Sequence, residues 1–183
     1  MIDGRQTMTP AHTDSNLWPA RSRRYCAIRL AVVAAAGTLA LAGFACWAIN
    51  PWFDYSINLT HSLPGTLYIT HIGEPVKRGD LVAFRWQGGA TYPRGVIFIK
   101  RVAGVAGDIV TIRNGVYFVN ETPIGRAKSV TLAGVPLTPA SPGVIPNGRY
   151  FVATPNPNSL DSRYALTGNI PQPAIIGRTY EIF

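Results

Sequence analysis

Residues 30–49 contain no charged side chain and are almost wholly apolar. As a helix rising about 1.5 Å per residue, such a run reaches roughly 30 Å, the hydrocarbon thickness of a bilayer. Arg21, Arg23, Arg24 and Arg29 crowd its N-terminal side, and Arg29 can snorkel back to the interface. On the other side Asp54 is the first charge, among Trp47, Trp52, Phe53 and Tyr55, which form an aromatic belt. The positive-inside bias places the N-terminus in the cytoplasm and everything after about Asn50 outside. A cleaved signal peptide is the competing reading, but its apolar region is usually about 7–15 residues long. Gly43-Phe44-Ala45 before Cys46 resembles a cleavage site only faintly. The run is expected to be a retained anchor.

Three segments follow. Residues 1–25 are polar and without apolar period, and are expected to be a disordered cytoplasmic tail. Residues 26–49 are the transmembrane helix. Residues 50–183 are enough for one extracytoplasmic domain with a single core. That domain holds 12 Lys and Arg against 7 Asp and Glu, a net of +5, scattered and without a stacked aromatic stripe. Nucleic-acid binding is therefore not expected; a mildly basic face beside anionic lipid accounts for the charge. Cys26 and Cys46 flank the helix and lie too far apart to bridge. His12, His61 and His71 have no metal spacing.

The outer domain reads as mainly β. Strand-like runs occupy residues 67–70, 81–86, 96–103, 109–113, 116–119, 150–153 and 175–182, rich in β-branched and aromatic residues. Asn114-Gly115 is a type I′ hairpin signal, and Asn147-Gly148 leads into the next strand in a similar way. Residues 133–147 and 156–168 read as long loops, which in compact domains are often functional.

Two residues carry the chemistry. Strand alternation puts Lys100 on one face with Val96, Phe98 and Val102. Burial there disfavours the ammonium and lowers the lysine pKa. A lysine tuned toward neutral pH can take a proton from a serine. Ser62 precedes Leu63-Pro64-Gly65, so the backbone turns immediately after its hydroxyl. Thr60 lies two residues earlier, on the same side of an extended segment. The Thr60 hydroxyl and the Ser62 amide could jointly donate to an oxyanion.

Ser62-Leu63-Pro64, Gly79-Asp80-Leu81-Val82-Ala83-Phe84, the stretch from Ile99-Lys100-Arg101 to Ala106-Gly107-Asp108, and Ser159-Leu160-Asp161-Ser162-Arg163-Tyr164 occur in this order. Together they resemble the successive boxes of type I signal peptidases, membrane-anchored serine/lysine proteases. The single N-terminal span and small outer domain, and the proline two residues after the serine with Leu67-Tyr68 following, resemble the TraF-type branch, which matures conjugative pilins. The resemblance covers most of residues 55–183 and implies an antiparallel signal-peptidase-like β domain behind one helix. It implies Ser62 as nucleophile, Lys100 as general base, and Thr60 with the Ser62 amide as oxyanion hole. Asp161 and Arg163 would order the site, and Ser162 would help to orient the lysine. No metal or organic cofactor is implied. The implied substrate is a membrane-embedded pilin or other exported precursor, cut outside the bacterial inner membrane. The TraF-type branch is also associated with joining pilin ends into a ring. Two departures argue against a housekeeping enzyme: Thr154-Pro155-Asn156 stands where Gly-Asp-Asn is usual, and glycine follows Tyr164 only at Gly168.

About 12 residues separate Ile49 from Ser62, so the nucleophile is tethered near the outer interface. A substrate anchored in the same bilayer would present its scissile bond at that depth, and Leu59, Leu63 and Leu67 with the aromatic belt could dock on lipid. Two rival readings exist. A Ser-His-Asp triad could draw on His61, His71, Asp54 and Asp80, but the His61 side chain diverges from that of Ser62, and His71 and Asp80 have no motif around them. A non-catalytic part of a conjugation or secretion apparatus would need the same strands and anchor, but no lysine on an apolar strand face.

Overall fold

The computed structural model describes residues 20–58, 62–89 and 91–183. Most of the expected tail, together with Thr60 and His61, therefore lies outside the described residues. The chain divides into a helical unit and a second unit, Ile49–Phe183.

The helical unit contains α1 (Ala20–Ile49), which starts ahead of the segment 26–49 expected from hydropathy. Leu30, Val33, Leu39 and Leu41 are all exposed on it. Within α1, Thr38 Oγ1 donates to Ala34 O at 2.9 Å, so this polar group is satisfied inside the helix, as a hydrocarbon environment demands. The helix is long and apolar enough to cross a membrane.

The second unit consists of antiparallel sheets, as its alternating β-branched and aromatic runs dictate. Its strands are β1 (Phe53–Ile57), β2 (Leu67–Ile72), β3 (Leu81–Arg85), β4 (Ile97–Gly104), β5 (Ile109–Arg113) and β6 (Val116–Val119). They continue with β7 (Thr122–Arg126), β8 (Gly143–Val144), β9 (Arg149–Ala153), β10 (Ile170–Pro171) and β11 (Ile175–Glu181). Among the described residues, one sheet has the order β1-β2-β11-β3-β4-β9-β10 and a smaller one β7-β6-β5-β8. Strand β3 lies between β11 and β4, and Leu81 to Phe84 are buried on both faces, which is why that stretch is continuously apolar.

Strands β1, β7, β8 and β10 were not among the runs expected from sequence. Strand β1 falls inside the aromatic belt, β7 contains Pro123 and Gly125, and the other two are only a pair of residues long. The Asn114-Gly115 turn has positive φ at both residues and joins paired strands β5 and β6, as its type I′ signal requires. Asn147-Gly148 differs: β8 pairs with β5, whereas β9 pairs with β4 and β10. Here Gly148, at φ 69, turns the chain from one sheet into the other.

The larger sheet buries Val82, Phe84, Trp86, Val102, Val152 and Ile170; the smaller one buries Val110, Tyr117, Val119 and Ile145 with Phe151. A third cluster joins Leu63, Tyr68 and Leu81, with Ile99 against it. It ties the turn after β1 to the centre of β4. On β11 a Cβ at Gly177 would fall 1.9 Å from His71 O, so only glycine allows the two backbones to approach at that bulge.

Candidate active site

The cleft begins where β4 loses a neighbour. Its ladder with β3 covers residues 97–101, but its ladder with β9 starts only at Arg101. Beyond Ala153 the chain leaves the sheet and loops through residues 154–169 before β10. The vacated flank of β4 becomes one wall of a cleft of about 390 Å³. Residues 97–100, Asn58, Ser62, Leu63 and Tyr68, and Asn156, Asn158, Ser159 and Leu160 line it.

Lys100 faces this cleft from the middle of β4 and is 6% exposed. Its cross-strand partner Val82 and its same-face neighbour Val102 are fully buried. Arg101, on the opposite face, is exposed and donates to Gly79 O at 2.5 Å. One face of β4 is therefore dry around a cation while the other carries its charge to the surface. Desolvation brings the Lys100 pKa down to about 8; the Asp161 carboxylate pulls it up and Arg163 pushes it down. The Nζ lies 5.5 Å from the Phe98 ring centroid, a contact that favours the ammonium but does not offset burial.

Ser62 is half-buried in the connection between β1 and β2. Lys100 Nζ donates to Ser62 Oγ at 3.2 Å. A turn and a strand 38 residues apart in sequence thus meet at hydrogen-bond distance. Of the expected oxyanion donors, the Ser62 amide belongs to this turn, and Thr60 lies outside the described residues.

Asp161 and Arg163 form a buried, bidentate pair. Arg163 Nε donates to Asp161 Oδ1 at 2.8 Å and Nη2 to Oδ2 at 2.7 Å. The same guanidinium donates to Arg126 O and Asn156 O at 3.2 Å each. It thereby joins the end of β7 to the loop that forms the second wall of the cleft. Ser162 pins that loop to β9: its amide donates to Val152 O and its Oγ accepts from Val152 N, both at 2.9 Å. No hydrogen bond joins Ser162 to Lys100; the Ser162 hydrogen bonds go to Val152 of β9.

Ser159 was missed as an individual residue. Its hydroxyl is buried, has no hydrogen-bond partner among the described residues, and belongs to a side chain lining the cleft with Lys100. Its place at the head of the Ser159–Tyr164 box was the available signal, but spacing does not give the direction of a hydroxyl. Of the candidate triad residues, His61 lies outside the described residues, and His71 and Asp80 are engaged elsewhere. His71 Nδ1 bonds Glu74 Oε2 at 3.0 Å and its ring stacks on Phe53, while Asp80 pairs with Arg178. Among the described residues, no three His, Cys, Asp or Glu side chains are grouped to hold a metal.

A family model described as signal peptidase, peptidase S26, matches residues 26–183. A probable conjugal transfer protein TraF from Sinorhizobium fredii is 34% identical over 169 residues, 82% of this chain and 84% of that protein. Signal peptidase I of Bacillus amyloliquefaciens is 31% identical over 123 residues, 63% of this chain. The chain spans 60% and 62% of the length of that protein and of its Bacillus licheniformis counterpart. A crystal structure of a signal peptidase I from Enterococcus faecalis aligns at a TM-score of 0.39 and 23% identity, over 57% of this chain and 97% of that one.

Proposed function

The chain belongs to the signal peptidase family, peptidase S26, and on that premise we propose that it is a membrane-anchored serine endopeptidase working through a Ser62–Lys100 dyad. The observation that carries this reading is the 3.2 Å contact between Lys100 Nζ and Ser62 Oγ, made by a lysine whose pKa burial has brought to about 8.

In the reactive form Lys100 is neutral, and its lone pair accepts the Ser62 proton as Oγ attacks the scissile carbonyl carbon. The oxyanion that forms accepts from the Ser62 amide and from Thr60. Collapse breaks the C–N bond, and the Lys100 ammonium gives its proton to the departing amine. The acyl ester on Ser62 then takes water, deprotonated by Lys100, or a second amine. Asp161 and Arg163 hold the loop wall, Ser162 fixes it to β9, and the Ser159 hydroxyl faces the same cleft.

The apolar helix and the arginines before it support a cytoplasmic N-terminus with the catalytic domain outside the inner membrane. The tether of about 12 residues between Ile49 and Ser62 supports a substrate anchored in the same bilayer. The TraF-named relative supports a precursor from a conjugation system, a pilin above all.

Co-expression with precursors encoded nearby tests the reading. Intact-mass measurement should find mature product with the parent enzyme and none with Ser62→Ala or Lys100→Ala, although both variants still insert and fold. Processing that survives either substitution removes the dyad and favours the scaffold reading. The product mass also separates hydrolysis from ring closure, since a cyclic product is lighter by one water.

A further inference from the structure

The turn that carries Ser62 is held by side chains to an unusual degree. Pro64 has no N–H to give. The amides of Thr66 and Leu67 are taken by Phe183 O, at 2.6 and 2.8 Å. The carbonyls of Leu63 and Gly65 are instead met by one side chain: Asn58 Nδ2 donates to both, at 2.9 Å each. The Gly65 amide donates to Tyr68 OH at 2.9 Å.

Both side chains are anchored outside the turn. The Asn58 amide donates to Thr66 O at 2.8 Å, extending the ladder of β1 and β2 by a rung. Tyr68 is fully buried in β2, against Leu63 and Leu81. Glu181 covers the turn from β11: a Cβ on Gly65 would fall 2.6 Å from Glu181 Cγ.

We infer that Asn58 and Tyr68 are positioning residues for the nucleophile, holding the Leu63–Gly65 backbone so that Ser62 Oγ stays within reach of Lys100 Nζ. The inference rests on the reading of Ser62 as nucleophile. Its physical content is the narrow tolerance of the reaction: a displacement of about 1 Å at the attacking atom can lower the rate by on the order of a hundredfold. With Asn58 truncated, the Leu63 and Gly65 carbonyls lose the amide that holds them, and the turn moves to find water. Lys100 stands on β4 among Phe98, Val82 and Val102, and none of these depends on Asn58 or Tyr68. The clamp therefore sets where the alcohol is without setting how readily the amine gives up its proton.

The experiment uses the full-length enzyme in detergent micelles with the precursor identified by co-expression. The rate of processing is measured against pH for the parent, Asn58→Ala and Tyr68→Phe, with melting temperatures alongside. The expected result is a plateau at high pH lowered about a hundredfold in Asn58→Ala and about tenfold in Tyr68→Phe, with the profile midpoint unmoved. Affinity for the uncut precursor, measured with Ser62→Ala added to each variant, should fall far less than the plateau does, and a loss of affinity that accounts for the whole loss of rate would overturn the inference. Parent-like plateaus in both variants would overturn the inference. So would a midpoint that climbs toward that of an ordinary lysine, because the residues would then be keeping the cleft dry. Tyr68→Phe removes a single oxygen and decides the question should Asn58→Ala fail to fold. If Ser62→Ala still processes precursor, the nucleophile reading itself falls; if it is inactive while both clamp variants run at the parent rate, only the clamp falls.

Discussion

The domain buries two cations a short way apart in the fold and treats them in opposite ways. Arg163, 1% exposed, spends its guanidinium on both oxygens of Asp161 and on the carbonyls of Arg126 and Asn156. Lys100, 6% exposed, donates to the Ser62 hydroxyl and otherwise faces apolar strand neighbours and an aromatic ring. A buried charge persists where a counter-charge and several acceptors meet it, and gives way where acceptors are few. Arginine suits the first setting because its planar fork matches a carboxylate and it does not deprotonate. Lysine suits the second because its pKa shifts readily when desolvated. The loop wall is thus built around a permanent charge, and the cleft around a dispensable one.

The largest expected effect comes from breaking the permanent pair. Asp161→Asn leaves Arg163 charged, buried and without its carboxylate, a situation that costs about 3–5 kcal/mol. Urea unfolding of the variant should register that loss at neutral pH, and processing should fall with it as the loop wall loosens. A loss below about 1 kcal/mol would mean that the carbonyls of Arg126 and Asn156 suffice, and the contrast between the two cations would dissolve.

Next is the opposite change. The Lys100 pKa is about 8 in the folded chain against 10.5 for an ordinary lysine, so below about pH 8 the folded state carries the penalty of a desolvated ammonium, about 3 kcal/mol. The penalty shrinks as pH rises from 8 to 10.5 and is gone above that, where both states are neutral. Lys100→Met should therefore be inactive and yet more stable than the parent at pH 7, by up to about 3 kcal/mol, with the gain vanishing near pH 10.5. A variant destabilised at pH 7 would show that Lys100 is paired better than its burial implies.

The rate should report the same ionisation. Under the proposed dyad only a neutral Lys100 takes the serine proton, so kcat/KM should rise about tenfold per pH unit below 8 and level off above it. At pH 7 roughly one molecule in ten is then in the reactive form. A profile flat from pH 6 to 9 would separate Lys100 from the proton transfer.

How much of this the sequence disclosed depended on how local each feature is. The apolar run and the alternation around Lys100 are contained in single segments, and their placement followed from periodicity. Strand β1 was hidden because Phe53 and Tyr55 follow a membrane-length run and read as interfacial aromatics. Strand β7 was hidden by its own Pro123 and Gly125. Asp161 and Arg163 stood out through the box that holds them, but a spacing of two does not tell a bidentate buried pair from two surface charges. Asn58 and Tyr68 left no trace of their placement, and the box that holds Ser159 did not give the direction of its hydroxyl: a side chain bonding a backbone, or turned into a cleft, is fixed by the folded neighbourhood alone.

The smallest predicted difference sharpens the contrast at the level of one hydroxyl. Ser162 and Ser159 share a loop and are both buried, but Ser162 Oγ accepts from Val152 N whereas Ser159 Oγ has no partner among the described residues. Ser162→Ala orphans a buried amide and should cost about 1–2 kcal/mol. Ser159→Ala orphans no group among the described residues, so its stability should stay within about 0.5 kcal/mol of the parent. Activity should run the other way. Ser159 lines the cleft, and its loss should reduce kcat several-fold, while Ser162→Ala should act only in proportion to its instability. Paired urea titrations and rate measurements on the two variants distinguish the residue that builds the wall from the one that faces the chemistry. An equal loss of stability in both would show that the Ser159 hydroxyl is spent on structure after all.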